Sequence, residues 1–466
     1  MTASTTTVRS PESRSTAPHA PGIPTTGSPT ADRSPVSDGP QAVPPTATTT
    51  ELRARFAPVF EQIAAGALER ERTRTLPHAE IRALAEAGFG RLRLPHDVGG
   101  FGASIPQLAA LLVDLATADS NCAQIWRGHV AFVEDLLVTP HTGFRDRWLP
   151  RITAGAVIGN AWTEIGNVER GTLRTRIRTR DEVAEVTGEK FYSTGSIYAD
   201  YADTTVADDA GVRHVALIPL DQPGVEVSDD WDGFGQRLTG TGTTRFTAAR
   251  LDPRDVIPFS DRFRYQSALY QLVLLATQAG IATAVARDAA CAVAARERSY
   301  SHGNADRVRD DPQILQIIGE AEAAAFTARA VVASAAEAVQ RAHDTALPGV
   351  PETASETDTE QSSDADTAAN HAATLAVSQA QVALTRLVPE AAGRVFDALG
   401  SSAVREAAGL DRHWRNARTV GSHNPWVYKA RLVGDHTVNG TAPEYQFAIG
   451  TVRTDAGDSA TTRTGT

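Results

Sequence analysis

Residues 412–425 read RHWRNARTVGSHNP, a stretch with three arginines, two histidines and a tryptophan but no carboxylate, in a chain with 56 Asp and Glu against 45 Lys and Arg. An imidazole donates hydrogen bonds and takes up a proton near neutral pH, so His423 has the chemistry to move protons at a reacting centre. The amides of Asn416 and Asn424 have no basic oxygen at that pH and cannot remove a proton from carbon. Asp411 lies just outside the stretch. Another histidine, His129, stands in IWRGHV at 125–130. Taken singly, His129 beside Trp126 and His423 beside Pro425 read more simply as packing residues. Hydroxyls and amides also gather in NAWTE (160–164), TGEKFYSTG (187–195) and WDGFGQRLTGTGTTRF (231–246), although Thr and Tyr suit strands for packing reasons alone.

The elements that must position these residues follow from periodicity. Apolar residues recur at helical spacing from Glu51 to about Pro150, as in RFAPVFEQIAAGALER, interrupted by the loop LPHDVGGFGAS (94–104). Short alternating runs between turn residues then predict a small antiparallel β domain or barrel over 159–262. Helical runs return at 264–302, 312–343 and 369–400, with a shorter one at 424–438, and predict a bundle over 263–446. The expected fold is therefore mainly α with a central, barrel-like β domain between an N-terminal helical domain (51–158) and a C-terminal bundle. Residues 1–50 contain 34 Ala, Ser, Thr or Pro and no Leu, Phe, Tyr or Trp, which predicts a disordered tail. Seven acids with no Lys or Arg make 344–370 an expected mobile insertion, and 447–466 reads as a polar tail.

A length of 466 residues suffices for two or three packed domains. The net charge of −11 argues against nucleic acid or an anionic membrane as partner. Cys122 and Cys291 are far apart in apolar runs, so neither a disulfide framework nor a cysteine metal site is expected. No stretch reads as long and apolar enough to cross a bilayer, and the N-terminus lacks the apolar core of a secretion signal, which predicts a cytoplasmic protein.

Five runs, LPHDVGGFGAS, NAWTE, TGEKFYSTG, WDGFGQRLTGTGTTRF and HWRNARTVGSHNP (413–425), resemble in content and order those of the acyl-CoA dehydrogenase superfamily across residues 51–446. With IWRGHV, the last is most similar to the flavin-dependent monooxygenase branch that includes dibenzothiophene monooxygenase. The resemblance implies oxygenation of sulfur or nitrogen in a small apolar substrate, using O2 and reduced FMN, with FAD left open, through a C4a-hydroperoxyflavin. It implies a separate flavin reductase as partner and a homotetramer. It also implies that His129, His423 and Thr194 are catalytic, and that Asn160, Thr163, Tyr192, Ser193, Thr194, Trp231 and Thr241 line the flavin. Arg298 and Arg418 are the candidates for contacts to its phosphate, although the branch's arginine register falls on Tyr300 and a second such place holds Ser402. In the dehydrogenases the C-terminal motif carries an acid and a catalytic glutamate, where this chain has Asn416 and Asn424. An acyl-CoA dehydrogenase with its base elsewhere, or a non-catalytic scaffold subunit, are the alternatives.

Overall fold

The computed structural model describes residues 47–165, 172–346 and 356–444. A capping box opens its first helix: Thr48 Oγ1 accepts from the Glu51 N–H, and Glu51 Oε2 accepts from the Thr48 N–H at 2.7 Å. The helix α1 (Thr49–Thr73) buries Leu52, Phe56, Phe60 and Ile63 along one face. With α2 (His78–Ala87), α3 (Ile105–Ala118), α4 (Ser120–Ile125), α5 (Arg127–Val138) and α6 (Thr142–Thr153) it forms the N-terminal helical layer. Asp119 ends α3 and caps α4 by accepting from the Asn121 N–H at 3.0 Å, and a further break at Trp126 starts α5 at Arg127.

The central sheet holds β1 (Ile158–Ala161), β2 (Arg176–Arg180), β3 (Val183–Lys190), β4 (Tyr201–Ala207), β5 (Arg213–Pro219), β6 (Val225–Val227), β7 (Thr244–Leu251) and β8 (Val256–Pro258). Its order is β6-β7-β3-β2-β4-β5-β8, with β1 beside β4. The expected antiparallel domain is in fact mixed: β1 runs parallel to β4, and β2 meets β4 in parallel at Arg176 and Ala207. The chain between β1 and β4 is long enough to carry the hairpin β2–β3 and return, which permits the parallel pairing. The sheet curls round a core that includes Val186, Ala202, Val206, Ile218 and Phe246. Among the described residues no ladder joins β6 to β8, so the sheet is open rather than a closed barrel.

The C-terminal bundle comprises α7 (Gln266–Ala294), α8 (Pro312–Ala346), α9 (Glu356–Arg394), α10 (Phe396–Leu399), α11 (Asp411–Gly421) and α12 (Trp426–Asn439). Contrary to the expectation from the sequence, α7 does have the length and mean hydropathy, 1.5, of a membrane-crossing helix. Its apolar surface instead packs against α3, α8 and α9, and 89% of the most apolar window is buried.

The insertion expected to be mobile at 344–370 is corrected in part. Residues 344–346 end α8 and 356–370 belong to α9, while 347–355 lie outside the described residues, as do 1–46 and 447–466 of the expected tails; at 48–50 the expected disordered tail is instead the capped start of α1. Asp366 of this segment finds partners that its composition does not reveal. Asp366 bonds Arg264, accepts from Thr345 Oγ1 at 3.3 Å and accepts from the buried Asn370 Nδ2 at 3.0 Å. Excision of 356–370 is therefore expected to lower the melting temperature by roughly 5 °C or more. Calorimetry on the shortened chain checks this, and an unchanged transition would restore the dispensable insertion.

Candidate active site

The turn after β3 is strained and fixed in place. Tyr192 has φ 57° and Gly195 φ 83°. At Gly195 a Cβ would stand 2.7 Å from the Ile125 carbonyl oxygen, so only glycine lets the turn seat against the end of α4. The Ser193 N–H donates to the Gly242 carbonyl at 2.9 Å and the Gly195 N–H to the Thr239 carbonyl at 3.1 Å, which tie the turn to the loop before β7. A chain of hydroxyls follows: Thr194 to Thr241 at 2.8 Å, Thr241 to Thr239 at 2.7 Å, and Thr239 to the Gln236 carbonyl at 2.9 Å. On the β1 side, the Asn160 carbonyl accepts from Ser196 Oγ at 3.1 Å.

NAWTE and TGEKFYSTG are laced together by structural bonds. The Thr163 carbonyl accepts from the Phe191 N–H at 2.8 Å, and buried Lys190 reaches Glu164 at 2.7 Å. The rings of Tyr192 and Trp231 meet edge to face at 6.2 Å, with Tyr192 exposed and the Trp231 indole N–H donating to the Gly235 carbonyl. Asn160, Thr163, Tyr192, Ser193, Thr194, Trp231 and Thr241 thus form one connected cluster. Within it, Asn160 Oδ1 and Ser193 Oγ are buried and have no partner among the described residues. Buried polar atoms are nearly always satisfied, so these two mark where a polar ligand edge or water belongs.

The 412–425 stretch closes the other side. Asn416 Oδ1 accepts from the Gln236 N–H at 2.7 Å while its Nδ2 donates to Ser120 Oγ at 3.2 Å, latching α11 to the loop and to α4. Gln236 has φ 49°, a second strained position beside the cluster. Asn424 Nδ2 donates to Gln271 Oε1 at 2.9 Å, and the Asn424 carbonyl accepts from Gln381. His423 is exposed in the isolated chain, yet crowding first and the charge of Arg127 second push its pKa down; exposure to solvent tempers the size of that shift but not its direction, a neutral ring at pH 7.

Three of the expected residues stand elsewhere. His129 is buried with both ring nitrogens engaged by backbone: Nε2–H donates to the Gly90 carbonyl at 2.7 Å and Nδ1 accepts from the Ile158 N–H at 3.1 Å. It staples α5 to β1, and neither nitrogen is left for catalysis. Arg298 lies exposed beyond the far end of α7, a helix of 29 residues and so about 43 Å long, whereas Tyr270 and Gln271 near the other end serve the site. Arg418 is exposed and donates to Ser422 Oγ at 2.7 Å, away from the cluster.

Arg127, Trp162, Tyr270 and Gln271 also border the cluster, and neither motif nor spacing singles them out. Arg127 lies over the Tyr270 ring at 4.8 Å, and Tyr270 meets Trp162 edge to face at 5.4 Å. The available signal was an arginine inside the apolar helical run IWRGHV. Among the described residues no group of His, Cys, Asp and Glu could hold a metal ion. The cluster fits a flavin better: Asn160 and Ser193 offer hydrogen bonds to an isoalloxazine edge, and Tyr192 and Trp231 offer rings to cover it.

Residues 46–156 match the model of the acyl-CoA dehydrogenase N-terminal domain and 272–426 that of the acyl-CoA dehydrogenase C-terminal domain. The probable FMNH2-dependent monooxygenase SfnC of Pseudomonas putida is 26% identical over 405 residues, spanning 83% of this chain and 94% of that protein. A dibenzothiophene monooxygenase of Rhodococcus erythropolis is 26% identical over 403 residues, spanning 82% and 92%. The crystal structure of TdsC from Paenibacillus sp. A11-2 with FMN and indole superposes with a TM-score of 0.74 at 26% identity, covering 84% of this chain and 98% of that one.

The staple at His129 makes a prediction about pH. Burial lowers its pKa from 6.5 to about 4, so the folded protein holds a neutral ring that the unfolded chain would protonate. The stability it contributes is whole above pH 6.5 and is lost as pH falls towards about 4. His129→Gln, whose amide keeps one donor and one acceptor, is expected to fold and to lose about 2 kcal/mol of the destabilisation seen at pH 5. Urea unfolding at pH 7 and pH 5 checks this; an unchanged pH dependence would contradict the neutral staple.

Proposed function

This chain belongs to the acyl-CoA dehydrogenase family, and within it we propose a flavin-dependent monooxygenase that takes reduced FMN, O2 and a small molecule with an oxidisable sulfur or nitrogen. Reduced FMN, when bound, supplies two electrons and two protons, so that one oxygen atom of O2 passes to the substrate and the other leaves as water. The observation that carries this reading is the amide at 424: its Nδ2 is tied to Gln271, and in the register of the family motif the carboxylate base of the dehydrogenases is replaced by a group that cannot deprotonate carbon. Of the nearby buried acids, Asp203 and Asp135 both face Arg262, which keeps them from serving instead.

The chain's own residues would divide the work. Asn160 and Ser193 hold the ring edge, and the hydroxyl chain Thr194–Thr241–Thr239 holds the turn rigid beneath it. Tyr192 and Trp231 cover the ring and exclude water. His423, neutral at pH 7, donates a hydrogen bond to the reacting oxygen and returns the proton. The FMNH2-dependent relative supports delivery of reduced FMN by a separate reductase. Exposed Phe326, Trp414, Val427, Tyr428 and Val438 supply apolar surface for self-association, and a cytoplasmic homotetramer completes the proposal.

Two measurements test it. Purified protein with FMN is expected not to oxidise NADH, and to consume O2 productively only when a flavin reductase is added; rapid NADH oxidation by the chain alone contradicts separate delivery. His423→Ala is expected to keep FMN affinity within a few-fold and to release hydrogen peroxide about a hundredfold faster, the equivalent of roughly 3 kcal/mol, when its FMNH2 complex meets air. Unchanged peroxide release would remove His423 from the chemistry.

A further inference from the structure

The first turn of α5, like 412–425, carries no acid. Arg127 is 8% exposed, its Nε is buried without a partner, and among the described residues no carboxylate pairs with it. The other buried arginines differ: Arg70, Arg93 and Arg262 each face a carboxylate within 2.9 Å. A buried guanidinium without a counter-charge is costly, and a site keeps one where a ligand supplies the missing charge.

Its surroundings point the same way. Arg127 is the first residue of the twelve-residue helix α5, where the helix dipole adds positive potential. At the next residue, Gly128, a Cβ would stand 3.1 Å from the Asn160 backbone N, so α5 brings Arg127 directly beside the flavin cluster. Arg127 is also close enough to His423 for its charge to help hold that ring neutral. The rings of Tyr270 and Trp162 beside it would take the apolar body of a substrate.

We infer that Arg127 binds an oxyanion carried by the substrate, a carboxylate, sulfinate or sulfonate, and so presents the molecule's sulfur or nitrogen beside His423. The inference rests on the monooxygenase reading and names the class of molecule its site accepts. Arg127 acts by holding and orienting, through the planar fork that suits such groups.

Isothermal calorimetry on the FMN-loaded protein tests it with two pairs of near-isosteric probes, benzoate against benzamide and methanesulfonate against dimethyl sulfone. Each anion is expected to bind about tenfold or more tightly than its neutral partner. Arg127→Met is expected to erase that preference while leaving FMN and the neutral probes within about threefold of the wild type. Arg127→Lys, which keeps the charge without the fork, is expected to retain part of it and serves if the Met variant does not fold. Equal affinities in the wild type, or a preference that survives Arg127→Met, would overturn the inference. So would loss in Arg127→Met of a wild-type preference for FMN over riboflavin, which would assign the arginine to the flavin's phosphate. Failure of the wild type to bind FMN at all would instead sink the flavin reading, and the same probes on the unloaded protein would still decide for Arg127.

Discussion

Arg262 lies without side-chain exposure between two acids, 2.7 Å from Asp203 of β4 and 3.7 Å from Asp135 of α5. It belongs to the segment that leads from the sheet into α7, so the N-terminal layer, the sheet and the bundle meet at one guanidinium. Burial works against its charge, but the two flanking carboxylates win and raise its pKa, while burial pushes Asp135 up to about 6. Such a triad is expensive to desolvate, and its value lies in fixing one arrangement: removing the cation alone would strand two buried acids. Asp203 also accepts from the Trp162 indole at 3.0 Å, Trp162 packs on Tyr270, and Tyr270 carries Arg127 on its face. This side of the candidate site is therefore built outward from the hub.

The opposite wall depends on amides rather than charges. Asn416 holds the loop before β7 through the strained Gln236, and that loop holds the equally strained turn at Tyr192 through the bonds of Ser193 and Gly195. Strain of this kind persists only where surrounding contacts over-determine it. Under the proposed monooxygenase reading, carboxylates at these places would oppose negative charge developing on oxygen, whereas amides and hydroxyls offer fixed dipoles. That reading gives a physical sense to a run of fourteen residues free of acids in an acidic chain.

Much of the scaffold was legible because it depends on local pattern. The buried stripe of α1, the apolar α3 and α7, and the turn residues between strands all show in the sequence. The cluster of Asn160, Ser193, Thr194 and Thr241 was legible through its motifs. What escaped depends on partners distant in sequence. Asp366 belongs to a helix because Arg264, 102 residues earlier, meets it. His129 and His423 look alike on paper, and only the backbone of Gly90 and Ile158, brought in by the fold, makes the first a staple. Arg127 was visible as a charge in an apolar helix, but that it lacked a counter-charge could not be known before every acid near it had been placed.

A crystal structure of the protein soaked with FMN is the most decisive measurement for the site as a whole. The isoalloxazine edge is expected to meet Asn160 Oδ1 and Ser193 Oγ, the two atoms of the cluster that are buried without partners among the described residues, with His423 facing the ring and the Arg298 of the same chain far from it. Flavin bound elsewhere, or bound here with both atoms still unpartnered, would contradict the account.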